Sequence, residues 1–146
     1  GAPWILTPLA QTAPQTLQRM QALAEAIGCR VYTLSPDRHD KLAATISHLP
    51  FLLSATLVAA ALQVAQDDPV VWQIAASGFR DTSRLAASNV TMMMDILLTN
   101  QAAIGELLAL AQHQLERLAT TLAEGDEAGL RSLLEQIARQ RNSLYR

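Results

Sequence analysis

Two short clusters in this chain could do chemistry. One runs from His39-Asp40 to Ser47-His48-Leu49-Pro50, and the other is Gly78-Phe79-Arg80-Asp81-Thr82-Ser83-Arg84. Arginine presents a rigid planar fork that suits a carboxylate, and it keeps its charge at any working pH. Gly78 would let the backbone approach a ligand closely. His48 comes just before Pro50, whose missing N–H frees backbone groups, so a helix break there would open a small polar pocket. Charges near an apolar core are costly unless something pairs them. Arg84, Asp81, Gly78 and His48 are therefore the candidate ligand-binding residues. Simpler readings stand beside these. Arg84 and Asp81, three apart, could brace a loop as an ion pair, and His48 could bond a freed carbonyl. His39-Asp40 reads as a surface pair near a helix start, and His113 as a solvated residue.

Much familiar chemistry is absent from the sequence. The glycines stand at 1, 28, 78, 105, 125 and 129, so they build neither a G-x-G-x-x-G turn nor a P-loop. Three scattered histidines (39, 48 and 113) and one cysteine give no zinc spacing, and no metal site is expected. There is no nucleophile elbow and no carboxylate pair suited to acid–base work. No catalytic residue is assigned in this chain.

The remainder must position these clusters. The 146 residues are 50% apolar and 16% charged, a composition that supports one folded body with a core. A net charge of −2 gives no electrostatic case for nucleic acid. The longest apolar run, around 49–62, is interrupted by Pro50, Ser54 and Thr56, and reads as too short and too broken to cross a membrane. No secretion signal opens the chain. The lone Cys29 cannot form an internal disulfide, which suits a reducing cytoplasm. A first residue of Gly and an orphan β-type run at 4–7 suggest a piece of a longer polypeptide.

Residues 4–7 and 30–34 read as strands, with a helix between them carrying Leu17, Met20, Ala24 and Ile27 on one stripe. Thr12 and Gln15 look like a capping box around Pro14, and Gly28 like the C-terminal stop. Strand, helix, strand is a βαβ unit, and two strands do not make a stable sheet alone. From Ser35-Pro36 onward the chain reads as helical. Pro50 should kink or restart the first helix, and the nearly all-apolar 51–66 should be a central buried one. Asp68-Pro69 should open a helix ending at Ser77-Gly78, and Ser88 should cap the next. Met92, Met93 and Met94 read as core filler. Ile104, Leu108, Ala111, Leu115, Leu118 and Leu122 form a heptad-like seam, either internal packing or a dimer face. The last helix should begin at Asp126-Glu127 and end with Arg139, Arg141 and Arg146. The fold class is mainly α, a short βαβ start followed by a bundle of about six helices.

In order and spacing, the opening Gly-Ala-Pro-Trp-Ile-Leu-Thr-Pro, His39-Asp40, Ser47-His48-Leu49-Pro50 and the segment from Gly78 to Arg84 resemble the C-terminal part of the prephenate/arogenate dehydrogenase family. The resemblance covers essentially the whole chain, and four motifs in register make it specific. It implies that 1–34 is the end of a nucleotide-binding domain and 35–146 a helical substrate-binding and dimerisation domain, like the C-terminal domain of 6-phosphogluconate dehydrogenase. It implies a cytoplasmic homodimeric parent of tyrosine biosynthesis that oxidises prephenate or arogenate with NAD or NADP. This chain alone would bind no nucleotide and turn over no substrate. By the same resemblance Arg84 matches the substrate-carboxylate arginine, Asp81 and Gly78 the loop around the substrate, and His48 the histidine at the helix break. Phe51 stands where some prephenate-using relatives have a second histidine, and Met93 where some have tryptophan. Both departures lean toward arogenate. The rival reading is a non-catalytic helical dimerisation or adaptor module, which would have no need of half a sheet.

Overall fold

The structure, a computed structural model, describes residues 1–144. Strands β1 (Pro3–Leu6) and β2 (Arg30–Thr33) pair in parallel, with Pro3 opposite Arg30 and Leu6 opposite Thr33. Helix α1 (Pro14–Ala26) connects them, and no third strand is present among the described residues. Pro14 occupies the first turn of α1, but the capping box does not form. Ala13 takes the cap position without a side-chain bond, while the Thr12 hydroxyl accepts from the Leu9 N–H at 2.9 Å and closes the preceding turn. Gly28 ends the helix at φ +83°, a conformation that favours glycine.

Helix α2 (Pro36–Ala43) starts at Ser35, whose hydroxyl accepts from Arg38 N–H at 3.4 Å. It runs without a break into a wide π turn (Ala44–His48) and then α3 (Leu49–Asp67). The expected kink at Pro50 is replaced by this turn. The Leu49 N–H reaches back to Ala44 O, one residue further than in an α-helix. A proline in a regular α-helix would meet the carbonyl four residues back, here that of Ile46, and a wider turn is one way to relieve such a contact. The continuous stretch Pro36–Asp67 has 32 residues and is long and apolar enough to cross a membrane by length and composition. The argument from a short, broken apolar run therefore fails. The expected burial of the 51–66 segment also fails within this chain. Ser54 is the buried residue of α3, while Leu53, Leu62 and Val64 are exposed.

The helix expected from Asp68-Pro69 is only a 3-10 turn (Pro69–Trp72), capped by the Asp68 carboxylate on Val70 N–H at 3.0 Å. Helix α4 (Ser77–Ser83) begins where that helix was expected to end. The Trp72 and Phe79 rings meet edge to face at 5.9 Å and hold the two pieces together. A second 3-10 turn (Arg84–Ala87) leads to α5 (Val90–Thr99). Asn89, not Ser88, caps α5, its side-chain oxygen accepting from Met92 N–H at 2.9 Å, while the Ser88 hydroxyl donates to Leu85 O at 2.7 Å. Of the three methionines read as core, only Met93 is buried.

Helix α6 (Gln101–Ala123) carries the Leu seam, and α7 (Glu127–Ser143) follows a turn at Gly125, φ +66°. Asp126 caps α7 on Gly129 N–H, with Glu127 in the first turn and Arg141 in the last. Arg146, expected near the end of this helix, lies outside the described residues. The chain divides into two compact units, Gly1–Gly105 and Glu106–Arg146, with the division inside α6. Among the described residues, the first buries Ala24, Ala44, Ser54, Met93 and Ile104, and the second Leu107. On the seam Ile104 is buried and Ala111 and Leu118 are half-buried, but Leu108, Leu115 and Leu122 are exposed.

This is little core for the chain length. The accessible surface is 11092 Å². A compact monomer of this mass would expose about 7,300 Å², and two separate globules of 105 and 41 residues about 8,700 Å². The exposed large apolar residues include Leu, Ile and Val along α3, α5, α6 and α7.

Candidate functional site

The π turn brings the first cluster together. His48, at its last position, is half-buried. Its Nδ1 lies 3.4 Å from Nδ2 of Asn100, the residue between α5 and α6. The same Asn100 nitrogen donates to the backbone carbonyl of Asp40 at 2.9 Å. The Asp40 carboxylate meets His39 Nδ1 at 2.9 Å. Lost hydration lowers the His48 pKa from its usual 6.5; the Asp40 carboxylate works against this and His39 adds to it. His48 is therefore neutral at physiological pH and offers one donor and one acceptor nitrogen.

The second cluster is placed by Ser54. Its buried hydroxyl accepts from the Ala86 N–H at 2.9 Å, satisfying a donor at the start of the 3-10 turn that Arg84 opens. Ser54 is six residues beyond His48, which puts this anchor about 9 Å along the helix from the histidine at 1.5 Å per residue. The brace between Arg84 and Asp81 does not form. Asp81 pairs instead with Arg80, Nε to Oδ1 at 3.2 Å, and both side chains are exposed. The Arg84 guanidinium has no hydrogen-bond or ion-pair partner among the described residues, and it too is exposed in this chain. The premise that Arg84 and Asp81 sit near a buried core is thus corrected: both face outward from α4 and the following turn. Gly78 lies in the first turn of α4 at ordinary φ, with open space where a Cβ would stand.

His39, Asp40, His48 and Asn100 thus form one connected set, while Asp81 lies on α4 and Arg84 on the following turn, which is anchored to the same long helix. Sequence reasoning missed Asn100 and Ser54. The only signal for Asn100 was an amide at a helix junction, and Ser54 looked like a mere interruption of an apolar run. A neutral histidine and an unpaired arginine suit a small anionic molecule rich in oxygen. Among the described residues, no group of three or more His, Cys, Asp or Glu could hold a metal ion.

The family model of the prephenate dehydrogenase dimerization domain matches residues 35–136. The chain belongs to that family. It is 31% identical over 127 residues to the prephenate dehydrogenase of Bacillus subtilis strain 168, a match covering 87% of this chain and 34% of that protein. The crystal structure of Synechocystis arogenate dehydrogenase superposes with a TM-score of 0.83 at 32% identity, over 97% of this chain and 52% of that one. Prephenate dehydrogenase from A. aeolicus, in complex with hydroxyphenyl propionate and NAD+, superposes with a TM-score of 0.91 at 25% identity, over 97% and 50%. The chain, with its mainly α architecture and two-stranded start, spans between 34% and 43% of the length of the curated relatives it matches. The connection from β1 to α1 holds Pro8 and no glycine, so it is not a glycine-rich phosphate-binding turn.

Proposed function

We propose that this chain is the C-terminal substrate-binding and dimerisation part of a prephenate/arogenate dehydrogenase of tyrosine biosynthesis, and that it works within a longer enzyme. Residues 1–34 then end the nucleotide-binding domain, and 35–146 form the helical domain. NAD or NADP would be held by residues outside this chain and would supply the hydride acceptor for the ring hydroxyl carbon, and loss of the ring carboxylate as CO₂ would make the product aromatic. Within this chain, Arg84 holds a substrate carboxylate with its fork, and His48 donates to a substrate oxygen. Asp81 and Gly78 shape the loop beside them. Phe51 and Met93 favour arogenate over prephenate. The apolar faces of α3 and α6 meet a second copy of the chain rather than lipid or nucleic acid, and the enzyme is cytoplasmic.

The observation that carries this reading is Arg84. In a prephenate dehydrogenase domain, its guanidinium is left without a protein partner while the nearest candidate carboxylate, Asp81, is taken by Arg80. The test is steady-state kinetics of the full-length protein. Removing one partner of a shielded charge pair costs about 2–5 kcal/mol, and about 1.4 kcal/mol is tenfold. Arg84→Ala should therefore raise KM for prephenate or arogenate about thirtyfold or more, with KM for the nucleotide unchanged. Arg84→Lys should recover only part, because an ammonium cannot make the bidentate contact. An Arg84→Ala enzyme that melts lower but keeps its substrate KM would assign Arg84 to structure.

A further inference from the structure

The amide of Asn100 decides which nitrogen of His48 carries the proton. Its nitrogen donates to the Asp40 carbonyl at 2.9 Å. A carbonyl has no proton to give, so it must be the NH₂ end of the amide that faces it. That same nitrogen stands 3.4 Å from His48 Nδ1. An amide nitrogen only donates, so the ring nitrogen opposite must accept, and in a neutral imidazole the proton is then on Nε2. The alternative tautomer would set N–H against N–H. Turning the amide to relieve that clash would forfeit the bond to Asp40. Nε2 has no protein partner among the described residues, and no buried side-chain polar atom there lacks one, so the Nε2 edge is open to solvent or a ligand. The charged groups that bear on the ring are Asp40 and His39, which are already paired with each other at 2.9 Å.

We propose that Asn100 is a positioning residue: it holds His48 in the Nε2–H tautomer, so the site presents a neutral N–H donor to a substrate oxygen. The ligand half of this statement rests on the dehydrogenase reading; the tautomer half does not. A neutral donor contributes direction without a second positive charge, so Arg84 alone would set the charge balance for the anion. An imidazolium would likewise place Nδ1–H against the amide, so the contact acts in the same direction as the lost hydration that chiefly lowers the His48 pKa.

The test is ¹⁵N–¹H correlation spectroscopy of ring-labelled histidines in the full-length protein, with the His48 signals identified by their loss in His48→Gln. The expected wild-type pattern is Nε2–H with Nδ1 unprotonated. Asn100→Asp places an acceptor against Nδ1 and should move the proton there, raising the His48 pKa by about one unit or more. The same variant should raise KM for prephenate or arogenate roughly tenfold while leaving nucleotide KM unchanged. A wild-type spectrum showing Nδ1–H overturns the inference, and needs no variant to fold. So does an Asn100→Asp protein whose tautomer and titration match wild type. If the tautomer is Nε2–H but the protein oxidises neither substrate, the dehydrogenase reading falls while the hold of Asn100 on His48 stands.

Discussion

His48 links the local chemistry to a measurable pH dependence. Its folded-state pKa lies below 6.5, chiefly because the half-buried ring has lost hydration. Below about pH 6.5 the unfolded chain therefore binds a proton that the folded chain resists, and stability falls. The contribution is present in full above that pH and is lost as pH drops toward the folded value. Wild type should lose more melting temperature between about pH 7.5 and 5.5 than His48→Gln does. Equal losses in the two proteins would mean that His48 titrates as a solvated residue. At this scale the sequence was only partly legible. The types and spacing of His48 and Arg84 singled them out, and His113, read as solvated from its place outside the apolar seam, is exposed. The partner of Asp81 was not legible. Arg80 and Arg84 both lie within reach of an exposed carboxylate, and the free-energy difference between exposed pairs is too small for a spacing rule to resolve.

Single hydrogen bonds fix how the elements meet. The buried Ser54 hydroxyl accepts from the Ala86 N–H in the 3-10 turn that Arg84 opens, and so ties that turn to α3. Ser54→Ala removes that bond at a cost of about 0.5–1.5 kcal/mol. Urea unfolding should register this loss, and the substrate KM should rise because the turn carrying Arg84 has lost its anchor. Stability within about 0.5 kcal/mol of wild type together with an unchanged KM would mean that the turn is held by packing alone. The sequence shows α1, β1, β2 and α7 clearly, because Pro14, Gly28, Gly125 and Asp126 act over a few residues. It hides the π turn, since Pro50 signals a break, whereas the helix accommodates the proline by widening one turn earlier. It hides Asn100 for a different reason: the carbonyl it bonds is sixty residues away, and only the tertiary fold brings them together.

On the scale of the whole molecule, the apolar residues outnumber the places this chain has to bury them. The surface exceeds that of a compact protein by thousands of square ångströms, and the exposed half of the Leu seam lies in a domain whose family is defined by dimerisation. Helical periodicity predicts the seam but not what covers it. An internal core and a dimer face carry the same 4-3 spacing. A two-fold interface above roughly 2,000 Å², the range of obligate homodimers, would absorb much of the excess. The most direct test combines mass and activity in one experiment. The full-length protein is passed over a sizing column at micromolar concentration with light-scattering detection, and each fraction is assayed for reduced nucleotide with prephenate or arogenate and NAD or NADP. The account predicts a single species of dimer mass whose elution profile coincides with the activity. A monomer, or a dimer that reduces neither nucleotide with either substrate, would contradict it.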